Sequence, residues 1–218
     1  MSQQRQIMDY RLYAIGGGPG PHDPVAALEA ALRGGATLAQ WRPKHLPARQ
    51  QYETAVQALS VARRLGVPLI IDDRVDLALA VGADGVHIGQ QDLPVAAVRR
   101  LLGPVPILGV SASTPAEARE AEEAGADYLG VGPVFPTSSK ADAGEAIGLE
   151  GLRAVIEATR LPVVAIGGIT RENAPLVLAA GAAGVAVISA LFNQPDVAEA
   201  AARLRQAIDE AMAAQTRG

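Results

Sequence analysis

Asp76-Leu-Ala-Leu-Ala-Val-Gly-Ala-Asp-Gly-Val-His-Ile-Gly89 holds one whole repeat junction of the chain. An alanine- and leucine-rich stretch of helical composition ends at Gly82, a residue suited to left-handed backbone just past a helix. The apolar run Gly85–Ile88 that follows has the length and composition of a buried strand. The turn between them recurs as Gly125-Ala-Asp-Tyr128 and Gly181-Ala-Ala-Gly184, so one αβ connection is used three times. Outward from this junction, β-type runs occur at Tyr10–Ile15, Thr37–Trp41, Pro68–Asp72, Gly85–Ile88, Pro106–Ser111, Asp127–Val131, Pro162–Ile166 and Val185–Ser189. Most lack polar alternation, as strands covered on both faces do. They recur every ~25 residues, the period of a βα unit. Eight such units predict an α/β fold of the (β/α)8 TIM-barrel type. A doubly wound sheet is the runner-up, but it rarely needs eight evenly spaced strands. No composition break divides the chain. Residues 1–218 read as a single domain, with about residues 1–9 as an N-terminal extension.

Helix ends support the repeat. Asp23-Pro24 and Thr114-Pro115 each place a capping side chain before proline at the first helical position. Thr114-Pro-Ala-Glu117 has the spacing of a capping box. Gly34-Gly35, Gly66, Gly82, Gly125 and Gly181 stop the helical runs. The stretch from Asn173 to Pro195 is uncharged and nearly long enough to span a bilayer. Pro175, Gly181 and Gly184 interrupt it, so it reads as a buried helix followed by a buried strand.

Composition excludes several classes. With 49% hydrophobic and 19% charged residues the chain is not disordered. Without cysteine there is no disulfide or zinc-cysteine scaffold. Aromatic content of 3% argues against an RNA-stacking sheet. Net charge −4 and pI ≈ 5.4 give no global attraction to nucleic acid or an anionic membrane. Anions must be held at a local site. The start of the chain shows no apolar signal segment, which leads us to expect a cytoplasmic protein, and a barrel of this size is compatible with homo-oligomers.

Barrel active sites lie at the C-terminal ends of the strands, which selects residues directly. Asp73 and Asp92 end consecutive strands and suit a hard cation such as Mg2+; the alternative is that each caps the helix after it. Arg42, Lys44 and Lys140 are cations at strand ends, suited to phosphate, or else solvated charges. Gly167-Gly168 and Ser189 end strands 7 and 8, where barrels commonly bind phosphate, although a tight turn alone would also require glycine. Gly16-Gly-Gly-Pro-Gly20 lacks the Lys-Ser/Thr of a P-loop and reads as a βα loop. His22 and His45 read as loop residues, His87 as a hydrogen-bonded barrel histidine, and Trp41 as packing.

At these residues the chain resembles the thiamine phosphate synthase family nearly end to end. The resemblance rests on Gly34-Gly-Ala-Thr-Leu-Ala-Gln-Trp-Arg-Pro-Lys44, Asp72-Asp-Arg-Val-Asp-Leu-Ala-Leu79 and Asp84-Gly-Val-His-Ile-Gly-Gln-Gln-Asp-Leu93. It continues through Gly130-Val-Gly-Pro-Val-Phe-Pro-Thr-Ser-Ser-Lys140, Val164-Ala-Ile-Gly-Gly-Ile169 and Gly184-Val-Ala-Val-Ile-Ser189. It implies a transferase joining 4-amino-2-methyl-5-hydroxymethylpyrimidine diphosphate to 4-methyl-5-(2-phosphoethyl)thiazole, with release of pyrophosphate. By the same resemblance, Gln40, Trp41, Arg42, Pro43 and Lys44 hold the pyrimidine diphosphate and Asp73 and Asp92 hold Mg2+. Ser111 and Lys140 contact the pyrimidine, and Thr137, Ser139, Gly168, Ile188 and Ser189 hold the thiazole phosphate. Asp72 and Ser138 complete the implied substrate-binding set, and Arg42, Lys44, Ser111 and Lys140 the implied catalytic set.

The family's chemistry needs no protein nucleophile. The pyrimidine methylene becomes a carbocation delocalised by its ring amine, and the thiazole nitrogen captures it. The protein orients two substrates, excludes water and stabilises the leaving pyrophosphate. Three departures stand out: Asp72 replaces the family's usual Asn, Pro43 a commonly acidic residue, and a Gly-rich loop the usual Thr-Asp after strand 1. Asp72 can accept from the pyrimidine amine, carry a proton, or lower activity. A related thiazole phosphate tautomerase relies on a histidine after strand 5, which Ser111-Ala-Ser-Thr114 lacks. A non-catalytic paralogue that only binds thiazole phosphate is the third reading.

Overall fold

The computed structural model describes residues 8–137, 139 and 144–215. Eight strands alternate with helices: β1 Leu12–Gly16, α1 Pro24–Arg33, β2 Leu38–Trp41, α2 Ala48–Arg64, β3 Leu69–Asp72, α3 Val75–Val81, β4 Gly85–Ile88 and α4 Val95–Leu102. The second half runs β5 Ile107–Ala112, α5 Pro115–Glu123, β6 Tyr128–Val131, α6 Gly148–Glu157, β7 Val163–Ile166, α7 Ala174–Ala179, β8 Gly184–Val187, α8 Ser189–Phe192 and α9 Val197–Gln215. Each strand pairs in parallel with the next, and β1 pairs with β8 to close the barrel in chain order. The strand expected to reach Ser189 ends at Val187, and Ser189 begins a one-turn helix.

Period-two alternation divides the apolar residues between two cores. Tyr13, Leu38, Ile70, Tyr128, Val164 and Ala186 fill the barrel interior. Ala14, Ala39, Ile71, Val86, Leu129 and Val185 point outward and pack against the helices. Many of the facing helical residues are alanine, including Ala27, Ala31, Ala55, Ala58, Ala62, Ala118 and Ala121, so the helix shell lies close to the sheet. Met8 and Tyr10 pack against the interior cluster. Met8, near the end of the expected extension, thus packs against the barrel interior.

The caps form where the residue types demand them. Asp23 Oδ1 accepts from the Ala26 N–H at 2.8 Å, with proline following at the start of α1. The Thr114–Glu117 capping box closes in both directions. Thr114→Ala is expected to cost about 1 kcal/mol in urea unfolding; an unchanged midpoint would show that the box contributes nothing. Gly82 takes the left-handed conformation (φ 68) after α3. After α1 that role falls to Gly35 (φ 108), because Gly34 stays helical at φ −75. The uncharged Asn173–Pro195 stretch divides into α7, β8 and α8, and no described helix is long and apolar enough to cross a membrane.

Candidate active site at the strand ends

A cavity of about 440 Å³ opens at the C-terminal ends of the strands. It is lined by Arg42, Lys44, Asp72, Asp73, Asp92, Ser111, Thr137, Ser139, Gly168, Ile188 and Ser189. Three predicted residues lie behind this surface. Trp41 follows the outward parity of β2; it is 1% exposed in the layer beneath the helices, with its Nε1 3.4 Å from Thr54 Oγ1 of α2. Pro43 is also buried outside the lining. Gln40 points inward but sits below the cavity, where its Nε2 donates to Tyr13 Oη at 2.9 Å. The positions expected to touch substrate at 41 and 43 thus shape the strand that presents Arg42 and Lys44. Ser138 and Lys140 lie outside the described residues.

The cations are neutralised in place. Arg42 Nε lies 3.0 Å from Asp72 Oδ2, and Lys44 Nζ lies 3.6 Å from the same oxygen while pairing with Asp73. Burial works against the Lys44 ammonium, but Asp73 and Asp72 outweigh it and hold its pKa above the ordinary lysine value. Asp72 is almost fully buried, with both cations beside its Oδ2.

Asp73 has φ 58, and no other non-glycine among the described residues has positive φ. That conformation costs roughly 1–2 kcal/mol and is held by a bond from the Asp73 N–H to the His87 carbonyl at 2.8 Å. Asp92 Oδ2 accepts from the Gly89 N–H at 2.7 Å. Burial raises the Asp92 pKa and the negative charge of Asp73 adds to the rise, while the Gly89 bond opposes it. Neither carboxylate caps a helix: the cap positions of α3 and α4 are Arg74 and Pro94, without side-chain cap bonds. The helix-cap alternative is therefore corrected. Two hard oxygen donors that repel one another fit a divalent cation, which would relieve that repulsion. No group of three or more acidic, His or Cys side chains forms a ready-made cage among the described residues. Water or substrate oxygens would complete such a shell.

The opposite wall is neutral. Ser139 Oγ donates to Ser189 Oγ at 3.0 Å, and the Ser139 N–H donates to Thr137 Oγ1 at 3.2 Å. Gly168 (φ 63) lies so close to the loop after β6 that an added Cβ would be 2.6 Å from the Pro136 carbonyl oxygen. The tight-turn reading of this glycine and its place in the cavity wall both hold.

Two lining residues outside the predicted site set bond to Ser111. His87 Nε2 is 2.9 Å from Ser111 Oγ, and Gln90 Nε2 donates to the Ser111 carbonyl at 2.7 Å. Inward parity on β4 was the available signal for His87. A hollow of about 490 Å³ lies elsewhere, between the β7–α7 loop and α9. Its Arg203 and Glu199 are exposed and paired with each other, and it contains none of the strand-end carboxylates.

Fold and cavity together define a (β/α)8-barrel enzyme with its cations, carboxylates and hydroxyls gathered over the strand ends. Residues 12–191 match the thiamine monophosphate synthase family. The chain is 54% identical over 197 residues to the thiamine-phosphate synthase of Moorella thermoacetica, covering 90% of this chain and 92% of that one. It is 52% identical over 201 residues to the thiamine-phosphate synthase of Chloroflexus aurantiacus, covering 91% and 93%. The solved thiamine phosphate pyrophosphorylase from Pyrococcus furiosus superposes with a TM-score of 0.86 at 43% identity, over 94% of this chain and 98% of that one. The chain belongs to the thiamine monophosphate synthase family, a family of transferases.

Proposed function

We propose that the protein couples 4-amino-2-methyl-5-hydroxymethylpyrimidine diphosphate with 4-methyl-5-(2-phosphoethyl)thiazole, giving thiamine phosphate and pyrophosphate. The observation that carries this reading is one cavity with two unlike ends: Arg42 and Lys44 beside Asp73 and Asp92, and the Ser139–Ser189 hydroxyl pair with Gly168 opposite. The charged end suits a diphosphate, the neutral end a single phosphate.

In the reaction the C–O bond between the pyrimidine methylene and diphosphate breaks, and its electron pair leaves with pyrophosphate. The thiazole nitrogen then donates its lone pair to the methylene carbon. Arg42 and Lys44 hold the leaving group, together with Lys140 as the family resemblance implies. Asp73 and Asp92 are the residues that would hold Mg2+, and bound Mg2+ would supply positive charge to the departing oxygens. Ser111 touches the pyrimidine, while Thr137, Ser139, Gly168, Ile188 and Ser189 seat the thiazole phosphate, together with Ser138 as the family resemblance implies. The barrel wall keeps water from the electrophilic carbon. Incubation with both substrates and Mg2+ is expected to release pyrophosphate and thiamine phosphate in equal amounts, with loss on chelation. Tight thiazole-phosphate binding without turnover would sink the proposal.

Asp72 bears on this charge balance, because it already takes part of the cationic capacity of Arg42 and Lys44. Asp72→Asn removes one negative charge and restores an amide donor. It is expected to retain activity or raise kcat/KM for the pyrimidine diphosphate a few-fold, read from initial rates. A collapse of activity with unchanged folding would instead make the carboxylate itself essential.

A further inference from the structure

The barrel interior contains an unbroken line of polar side chains below the cavity. Gln40 Nε2 donates to Tyr13 Oη at 2.9 Å, Tyr13 Oη lies 2.8 Å from Tyr128 Oη, and Tyr128 Oη lies 3.0 Å from His87 Nδ1. His87 Nε2 then meets Ser111 Oγ at 2.9 Å. The sheet places these groups side by side: His87 of β4 is level with Gly109 of β5, and Gly109 with Tyr128 of β6. The intervening positions are bare. A Cβ on Gly109 would lie 2.3 Å from Tyr128 Oη and 2.5 Å from His87 Nδ1, and one on Gly130 would lie 2.9 Å from His87 Cε1. Two side chains are missing where the line needs space.

The line has a direction. An amide nitrogen only donates, so Tyr13 accepts from Gln40 and has one proton left to give. Burial raises the pKa of both phenols, so both are protonated near neutral pH. The Tyr13 proton goes to Tyr128; any other direction buries it without a described acceptor. Tyr128 in turn donates to His87 Nδ1. An imidazole that accepts at Nδ1 carries its proton on Nε2, and that proton is given to Ser111 Oγ. Ser111 thus receives a hydrogen bond from below, and its own proton is available to the cavity it lines.

We propose that Gln40, Tyr13, Tyr128 and His87 are positioning residues that set Ser111 as a hydrogen-bond donor toward the cavity, so that the ligand atom it selects is an acceptor. Resting on the pyrimidine diphosphate reading above, that acceptor is an unprotonated ring nitrogen and not the exocyclic amine. Reversal of the Gln40 amide would reverse every bond in the line and turn Ser111 into an acceptor.

The tautomer of His87 decides between the two. The chain has three histidines, so in the full-length His22→Gln/His45→Gln variant only His87 remains. Long-range 15N–1H correlation at neutral pH is expected to show a neutral ring protonated at Nε2. An Nδ1–H ring or a doubly protonated one overturns the proposal, whether or not the protein turns over substrate. Tyr128→Phe keeps the ring and deletes one link. It is expected to raise KM for the pyrimidine diphosphate about tenfold, the equivalent of one hydrogen bond of ~1.4 kcal/mol, with KM for the thiazole phosphate within twofold. In a Ser111→Ala background the same substitution is expected to add nothing further; full additivity would mean that the line does not act through Ser111. Absence of turnover in the parent would count against the functional reading alone, because the tautomer is read without substrate.

Discussion

Asp92→Asn is expected to lower kcat about 10²–10³-fold, the range typical of losing one electrostatic contact made chiefly in the transition state. The substitution separates two roles of this side chain. Asp92 Oδ2 accepts the Gly89 N–H and closes the turn after β4. An amide oxygen can still make that bond, so the turn should survive and the melting temperature should stay within about 2 °C of the parent, the effect of less than ~1 kcal/mol in a chain of this size. What the amide lacks is the second negative charge beside Asp73. The negative charge of Asp73 adds to the cost of ionising Asp92, so the variant also relieves a repulsion and should not unfold the protein. The Mg2+ concentration for half-maximal rate should rise at least tenfold. Asp92→Ala loses turn and charge together, and is expected to be as inactive as Asp92→Asn and less stable. Full activity in Asp92→Asn, with an unshifted Mg2+ titration, would exclude a metal-holding role for this pair.

The repeat of turns around Gly82, Gly125 and Gly181 was enough to specify a closed barrel, because αβ connections and strand spacing are local properties. Strand ends shifted by only a residue or two, as where Ser189 joined α8. The site was legible to the depth that topology carries. Any residue ending a strand of such a barrel faces the cavity unless its parity turns it away, and so Arg42, Lys44 and Ser111 were found directly. Trp41 and Pro43 were drawn in by their neighbours, although alternation along β2 sends both outward. Asp73 shows the opposite failure: it follows the inward Asp72, and only its left-handed backbone brings its carboxylate to Lys44. Aspartate enters left-handed backbone more readily than most residues, but that weak preference does not single out Asp73 among the aspartates of the chain. The mutual neutralisation of Arg42 and Lys44 by Asp72 and Asp73 was hidden for a related reason, since it depends on contacts between β2 and β3 that have no local signature. The Tyr13–Tyr128–His87 line is assembled from three strands distant in sequence. Its one sequence trace is a pair of glycines at inward positions of β5 and β6.

Gly109→Ala is expected to cost roughly 3 kcal/mol or more and to lower the melting temperature by about 10 °C. Gly109 does not have positive φ, so alanine can adopt its backbone conformation and the penalty is steric. The new Cβ would sit 2.2 Å from Tyr128 Cζ and 2.5 Å from His87 Nδ1. Neither ring can yield alone. Tyr128 is fully buried and bonded to Tyr13, and His87 is bonded on both nitrogens. Displacing either strands a buried hydroxyl or ring nitrogen, which adds about 1–3 kcal/mol to the overlap. Two other glycines separate the causes. Gly66→Ala meets open space but has φ 69, so it should cost only the ~1–2 kcal/mol of left-handed strain. Gly18→Ala meets nothing within 4 Å at an unrestricted φ and should be neutral or slightly stabilising. Thermal unfolding of the three variants should therefore rank them Gly109, Gly66, Gly18. A Gly109→Ala protein that melts within 2 °C of the parent would mean that the Tyr128–His87 contact does not occupy this space.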